Sequence, residues 1–258
     1  MKKKNLSYVY LLLLILAMGI LVFTTVNGVA AATPNIISDE QTSHMDMDKI
    51  GVALQKADSN GDFTDISTIV YNSGGEWSIT SSGNLFDDDA SLKPGKTIDA
   101  QFRVKNYGEI GEYVRAIIYK YWVDEKGNKI ADADISPDMI IPILSSDSAW
   151  IKDMETDEKI FLYYSKMLET DDATTVFLTG VKIDGEIKKY YDAKEYVYYK
   201  EDGSVDYTKT VYDYKYNGKS FVIEVEVDAV QGHHPKEAIR SAWGKNVTIE
   251  NDMITALN

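Results

Sequence analysis

"SLKPGKTIDAQFRVKNYGEIGEYVRAIIYKY", Ser91 to Tyr121, decides the fold class. Ile98, Ala100, Phe102 and Val104 alternate with Thr97, Asp99, Gln101 and Arg103. That period of two gives a strand one apolar and one wet face. Val114, Ala116 and Ile118 resume the alternation after Asn106-Tyr107-Gly108, and Ile117 adds an apolar side chain to the opposite face. Taken locally, the two runs form a half-buried hairpin in which Asn106 and Gly108 supply the positive φ of the connection. Pro94-Gly95 suits the central positions of a type II turn.

Working outward, the same signal recurs. Phe221, Ile223, Val225, Val227 and Ala229 alternate with Glu224, Glu226 and Asp228, so Val225 is expected inside and Glu226 in water. Shorter strands are expected at Ile50 to Leu54, Trp77 to Thr80, Phe161 to Tyr164 and Thr175 to Ile183. Asn60-Gly61, Gly74-Gly75, Lys126-Gly127, Asp184-Gly185 and Asp202-Gly203 punctuate them as turns. Helix is scarce, with one short candidate from Lys236 to Trp243 and Pro235 in its first turn. The expected fold is all-β: an antiparallel, jelly-roll-like β-sandwich over 48–258 with an insertion at 186–218.

That insertion, Glu186 to Gly218, holds nine of the 18 Tyr and folds as a hairpin about Asp202-Gly203. Tyr212, Tyr214 and Tyr216 fall on one face. Two readings stay open: a solvated hairpin whose rings cover the sandwich edge, or a contact surface for a subunit or polysaccharide.

The N-terminus sets the compartment. Lys2, Lys3 and Lys4 precede an apolar run from Tyr8 to Phe23 and the small residues Ala30-Ala31-Ala32. This is the layout of a secretory signal peptide over 1–32, the alternative being an uncleaved anchor. Residues 33–47 then form a flexible, polar N-terminal segment with two readings open: a strand donor to a neighbouring copy, with Ile36 and Ile37 as the candidate assembly residues, or a disordered tether. Residues 1–32 hold three of the 27 Lys+Arg and none of the 41 Asp+Glu, so the remainder carries 24 − 41 = −17. Such a surface excludes phosphate-backbone binding and leaves no nucleic-acid partner. The expected membrane contact is the precursor segment. Zero Cys means that export has not been combined with disulfide staples.

Catalytic signatures are missing. The chain has no Cys nucleophile, G-x-S-x-G, P-loop or H-E-x-x-H. His233 and His234 are adjacent, not at metal-ligand spacing on a helix, and read as polar residues ending the last strand. "DSNGDFTD" offers Asp58, Asn60 and Asp62 as a candidate calcium site. However, Phe63 stands where an EF-hand has Gly and Ile69 where it has its bidentate acid, so an Asx-rich turn is the competing reading. Asp87 to Asp89 is an acidic cluster of the same ambiguity. No other cofactor is indicated.

Four segments in order resemble the TasA/CalY (camelysin) family of exported bacterial proteins. They are Ser38 to Lys56; Leu92 to Tyr119, with its Pro94-Gly95, Asn106-x-Gly108 and Tyr113-Val114-Arg115 elements; Phe161 to Ile183; and Phe221 to Gln231 followed by Ala238 to Trp243. The resemblance implies a jelly-roll sandwich, processing by a dedicated signal peptidase and a role as a secreted subunit of biofilm matrix fibres. Its partners would be copies of itself and matrix components. It also implies an alternative, the cell-surface zinc endopeptidase activity ascribed to camelysin. A surface module binding glycan or protein through the Tyr-rich hairpin is a third reading. The Tyr-rich insertion and the Ala-rich processing site depart from the family.

Overall fold

The computed structural model describes residues 49–71, 76–86 and 93–258. Residues 1–47, with the expected signal peptide, Ile36 and Ile37, lie outside the described residues, as do Gly74-Gly75 and Asp87 to Asp89. Among the described residues there are fourteen strands and one α-helix, and every strand pairing is antiparallel. The chain is an all-β sandwich.

Six strands form the first sheet, in the order β3 (Trp77–Ser81), β2 (Phe63–Tyr71), β1 (Ile50–Ala57), β4 (Thr97–Asn106), β9 (Leu178–Ile183) and β6 (Ile140–Leu144). The second sheet runs β12 (Ser220–Gln231), β5 (Glu112–Val123), β8 (Lys159–Tyr164) and β7 (Trp150–Thr156). Val52, Leu54, Phe102, Val104 and Leu178 of the first sheet pack with Val114, Ala116, Ile118, Ile160, Leu162 and Val227 of the second in one apolar core. Two faces of opposed alternating strands leave water together, the area-proportional gain that drives sandwich formation.

The opening stretch is not a local hairpin. β4 and β5 do not pair; β4 lies between β1 and β9, and β5 between β12 and β8. The Asn106-Tyr107-Gly108 connection therefore crosses from one sheet to the other. Neither Asn106 nor Gly108 has a positive φ, so conformational freedom is not why they stand there. By contrast, Gly95 has φ +87° and Lys96 N–H donates to the Lys93 carbonyl at 2.9 Å, as the type II turn requires.

Ile117 also finds its reason. β5 buries side chains on both faces, Tyr113 and Ile117 on the outer one, while Tyr119 and Tyr121 farther along stay half-exposed. Its outer face, with Tyr113, meets Tyr163 and Val230 beneath helix α1 (Pro235–Trp243) and the hairpin β13 (Val247–Glu250) and β14 (Met253–Leu257). Ile239 and Trp243, four apart on α1, supply its buried stripe, and Gly244 at φ +69° ends the helix. β12 is therefore not the last strand.

Register on β12 agrees with the alternation. Val225 is half-buried against the core, while Glu226 is exposed and accepts a hydrogen bond from the Tyr119 hydroxyl at 2.8 Å. Val225→Asp is expected to cost about 2–3 kcal/mol by placing a carboxylate against apolar neighbours, and Glu226→Gln less than about 0.5 kcal/mol. Equal urea midpoints for the two variants would contradict this register.

Candidate functional site

Chemistry-bearing residues gather at four places. The first is the sheet crossing itself. Asn106 is fully buried at the end of β4, where its Nδ2 donates to the carbonyls of Ile110 (2.8 Å) and Leu168 (3.0 Å). Its Oδ1 accepts from Gly108 N–H at 2.6 Å. The chain then closes on β1, with Tyr107 N–H on the Gly51 carbonyl at 2.7 Å and Glu109 N–H on the Lys49 carbonyl at 2.8 Å. Glu112, also fully buried, opens β5 and reaches back to accept from Gly51 N–H at 2.7 Å through Oε1. One side chain per sheet thus ties the two layers.

Gly108 is required by space. A Cβ there would lie 2.1 Å from Glu112 Oε1 and 2.7 Å from the Lys49 carbonyl. Glu112 Oε2 has no partner, and burial raises the carboxyl to about 8 despite the opposing Gly51 hydrogen bond. At neutral pH the group is a buried carboxylic acid. Adjacent Tyr113 is buried with an unpartnered hydroxyl, pushed up to about 12 by burial and then by the charge of Asp252. These groups are enclosed between layers, and they fasten the fold.

A cleft of about 290 Å³ lies between β1, β12 and α1, with Ile50, Ile69, Arg115, Asp228 and Trp243 among its walls. Arg115 Nε donates to Asp228 Oδ2 at 2.8 Å, Nη2 donates to the same oxygen, and the guanidinium lies 5.3 Å from the Trp243 ring centre. Asp228 is raised by burial, with Arg115 pulling the other way. Both charges are satisfied by each other, so the cleft presents a neutralised pair.

The third place is the β1–β2 turn. Asp58 Oδ1 accepts from the backbone N–H of Asn60 (2.8 Å) and Asp62 (2.9 Å), and these bonds, in that order, lower its carboxyl. Gly61, at φ +89°, completes an Asx-type turn. Phe63 to Tyr71, where a calcium loop would place its later ligands, is strand β2. His233 and His234 follow β12 with ring centres 4.8 Å apart, and His234, at φ +50°, caps α1 without a side-chain bond. Among the described residues no three His, Cys, Asp or Glu side chains stand together as a metal-holding group.

Strand edges and the tyrosine ribbon are the fourth. β10 (Tyr191–Tyr199) and β11 (Val205–Tyr214) form a separate two-stranded sheet in which every residue is exposed, so the rings do not lie over the sandwich. Tyr191 meets Tyr212 and Tyr214 edge-on, with centroids 4.9 and 5.8 Å apart, and Tyr198 stacks on Tyr207 at 4.5 Å. Tyr216 leaves the ribbon: it is buried against Trp122, and its hydroxyl accepts from Ser136 N–H at 3.0 Å. It anchors the insertion and does not share the exposed face of Tyr212 and Tyr214. On the six-stranded sheet, β3 is an outer strand of five residues, and its Ile79 is 71 % exposed. The opposite edge, β6, carries Pro142, which has no N–H to offer.

Comparison with family models, with curated proteins and with solved structures finds no match to this chain.

Proposed function

We propose that the chain is an exported structural subunit of an extracellular or biofilm matrix, which joins copies of itself into fibres and is not an enzyme. The observation that carries this reading is the outer strand β3, whose far edge is unpaired among the described residues and whose Ile79 is exposed. An unpaired edge holds N–H and C=O groups that an extended peptide satisfies by strand addition. The segment 33–47, bearing Ile36 and Ile37, is the proposed donor, freed when a signal peptidase removes residues 1–32. Donor and acceptor are different surfaces, so the contact is head-to-tail and propagates. The resemblance of the Asn106-x-Gly108 and Tyr113-Val114-Arg115 elements to the TasA/CalY family points the same way. In this protein the Asn106-x-Gly108 element fastens the crossing between the two layers, a framework suited to a fibre subunit.

Negative-stain microscopy tests the reading. Protein starting at Thr33 is expected to form filaments. Protein starting at Met47, and Ile79→Asp in the longer form, are expected to keep the same melting temperature and form none. Filaments from either would refute the donor–edge contact.

A further inference from the structure

The ribbon β10–β11 exposes both faces, and among the described residues neither of its edges is paired with another strand. An isolated two-stranded ribbon is marginal in water, and a third or fourth strand is the usual remedy. What could add to it is written in β11. Thr208-Lys209-Thr210-Val211-Tyr212-Asp213-Tyr214 is a chemical palindrome about Val211. Set antiparallel against a second copy of itself, it opposes Val211 to Val211 and each Lys209 to the other copy's Asp213. Those pairs share one face. On the other, Thr210 meets Tyr212 and Thr208 meets Tyr214. Apolar β-branched, Thr–aromatic and opposite-charge pairs are favourable cross-strand neighbours.

We propose that two copies of this chain join edge to edge through β11, antiparallel about Val211, into a four-stranded sheet β10–β11–β11–β10. A two-fold axis normal to the ribbon keeps each face on its own side. The Tyr191–Tyr212–Tyr214 cluster then continues across the join. Charge selects the register. Centring on Lys209 or Asp213 sets that residue against itself, centring on Tyr212 opposes Lys209 to Lys215, and centring on Thr210 makes no ion pair. Lys209 and Asp213 are both exposed and without a charged partner among the described residues. The edge of β10 lacks this complementarity. Centring it on Lys194 or Glu195 opposes like charges, and centring it on Ala193 requires Asp192, which Lys215 already holds at 2.7 Å. The contact is isologous and closes on itself, so it stands whether or not the chain forms fibres.

Native mass spectrometry of the purified protein tests it through exposed residues whose replacement leaves the core untouched. Wild type is expected to dimerise. Lys209→Asp and Asp213→Lys each turn two attractive pairs into two repulsive ones, and each is expected to lower the association constant at least about tenfold. Mixing the two variants restores both pairs, giving a heterodimer of intermediate mass, and the double charge swap dimerises again. The proposal is overturned by a monomeric wild type, by single variants that dimerise normally, or by a mixture that stays monomeric. A monomer whose ribbon tyrosines respond to added glucan oligosaccharide would likewise overturn it and assign the ribbon to glycan.

Discussion

Unfolding measurements from about pH 5 to pH 9 are expected to find the protein losing stability as the pH rises, by about 1.4 kcal/mol per pH unit up to about pH 8. The cause is Glu112. Its carboxyl stands at 4.5 when unfolded and at about 8 when folded, because burial penalises the charged form more than the Gly51 hydrogen bond favours it. Between those values the folded state holds a proton that the unfolded state has released. The contribution is complete below 4.5 and is lost as the pH passes through about 8. From pH 5 to pH 8 the loss sums to about 4 kcal/mol, a large fraction of an ordinary domain's stability. Asp228, also raised by burial, adds in the same direction, so the variant comparison isolates Glu112. Glu112→Gln keeps an oxygen for Gly51 N–H and cannot ionise. It should lie within about 1.5 kcal/mol of wild type at pH 5 and be the more stable protein at pH 9. Parallel pH profiles for the two proteins would show that Glu112 is not the neutral acid described.

The role of Glu112 was not legible in the sequence, and the reason is physical. Alternation assigns side chains to faces but says nothing of which strand lies beside which. β4 and β5 each had the right period, and their separation into two sheets follows from contacts across the chain: Gly51 with Tyr107 and Glu112, and Leu168 with Asn106. Ile117 was the available clue. An apolar residue on the supposedly wet face marks a strand covered on both sides, and Tyr113 and Ile117 are indeed buried there. Glu112, as the first residue of β5, gave no signal, since a Glu near a turn is ordinarily solvated. β6 carries no strand signal of its own, because Ile140-Ile141-Pro142-Ile143-Leu144 has no alternation. β2 was hidden by the acidic turn before it, which drew Ile69 into a calcium-loop count although it pairs with Val52. The tyrosine hairpin was legible as a hairpin because Asp202-Gly203 is a local signal, and Gly203 has φ +81°. Its separation from the sandwich was not, because exposure is a property of the whole fold.

The second large effect is expected at Asn106, and its two substitutions distinguish shape from hydrogen bonding. Asn106→Ala leaves Gly108 N–H without an acceptor and the Ile110 carbonyl without its Nδ2 donor. The Leu168 carbonyl keeps the Glu112 backbone N–H at 2.9 Å. One orphaned buried N–H and one part-buried carbonyl cost about 2–4 kcal/mol together. Asn106→Asp preserves volume and the acceptor for Gly108, but turns a second oxygen toward two carbonyl oxygens that expect a donor. An ionised carboxylate there is buried and repelled, so its folded pKa rises above the unfolded value. By the same linkage, the Asp variant gains stability as the pH falls, because protonation restores one donor to the Ile110 or Leu168 carbonyl. Thermal unfolding should rank wild type above Ala above Asp at pH 7, with the Asp variant overtaking Ala near pH 4. Ala and Asp variants of equal stability at both pH values would show that the amide's donors do not hold the crossing, and that filling the space is enough.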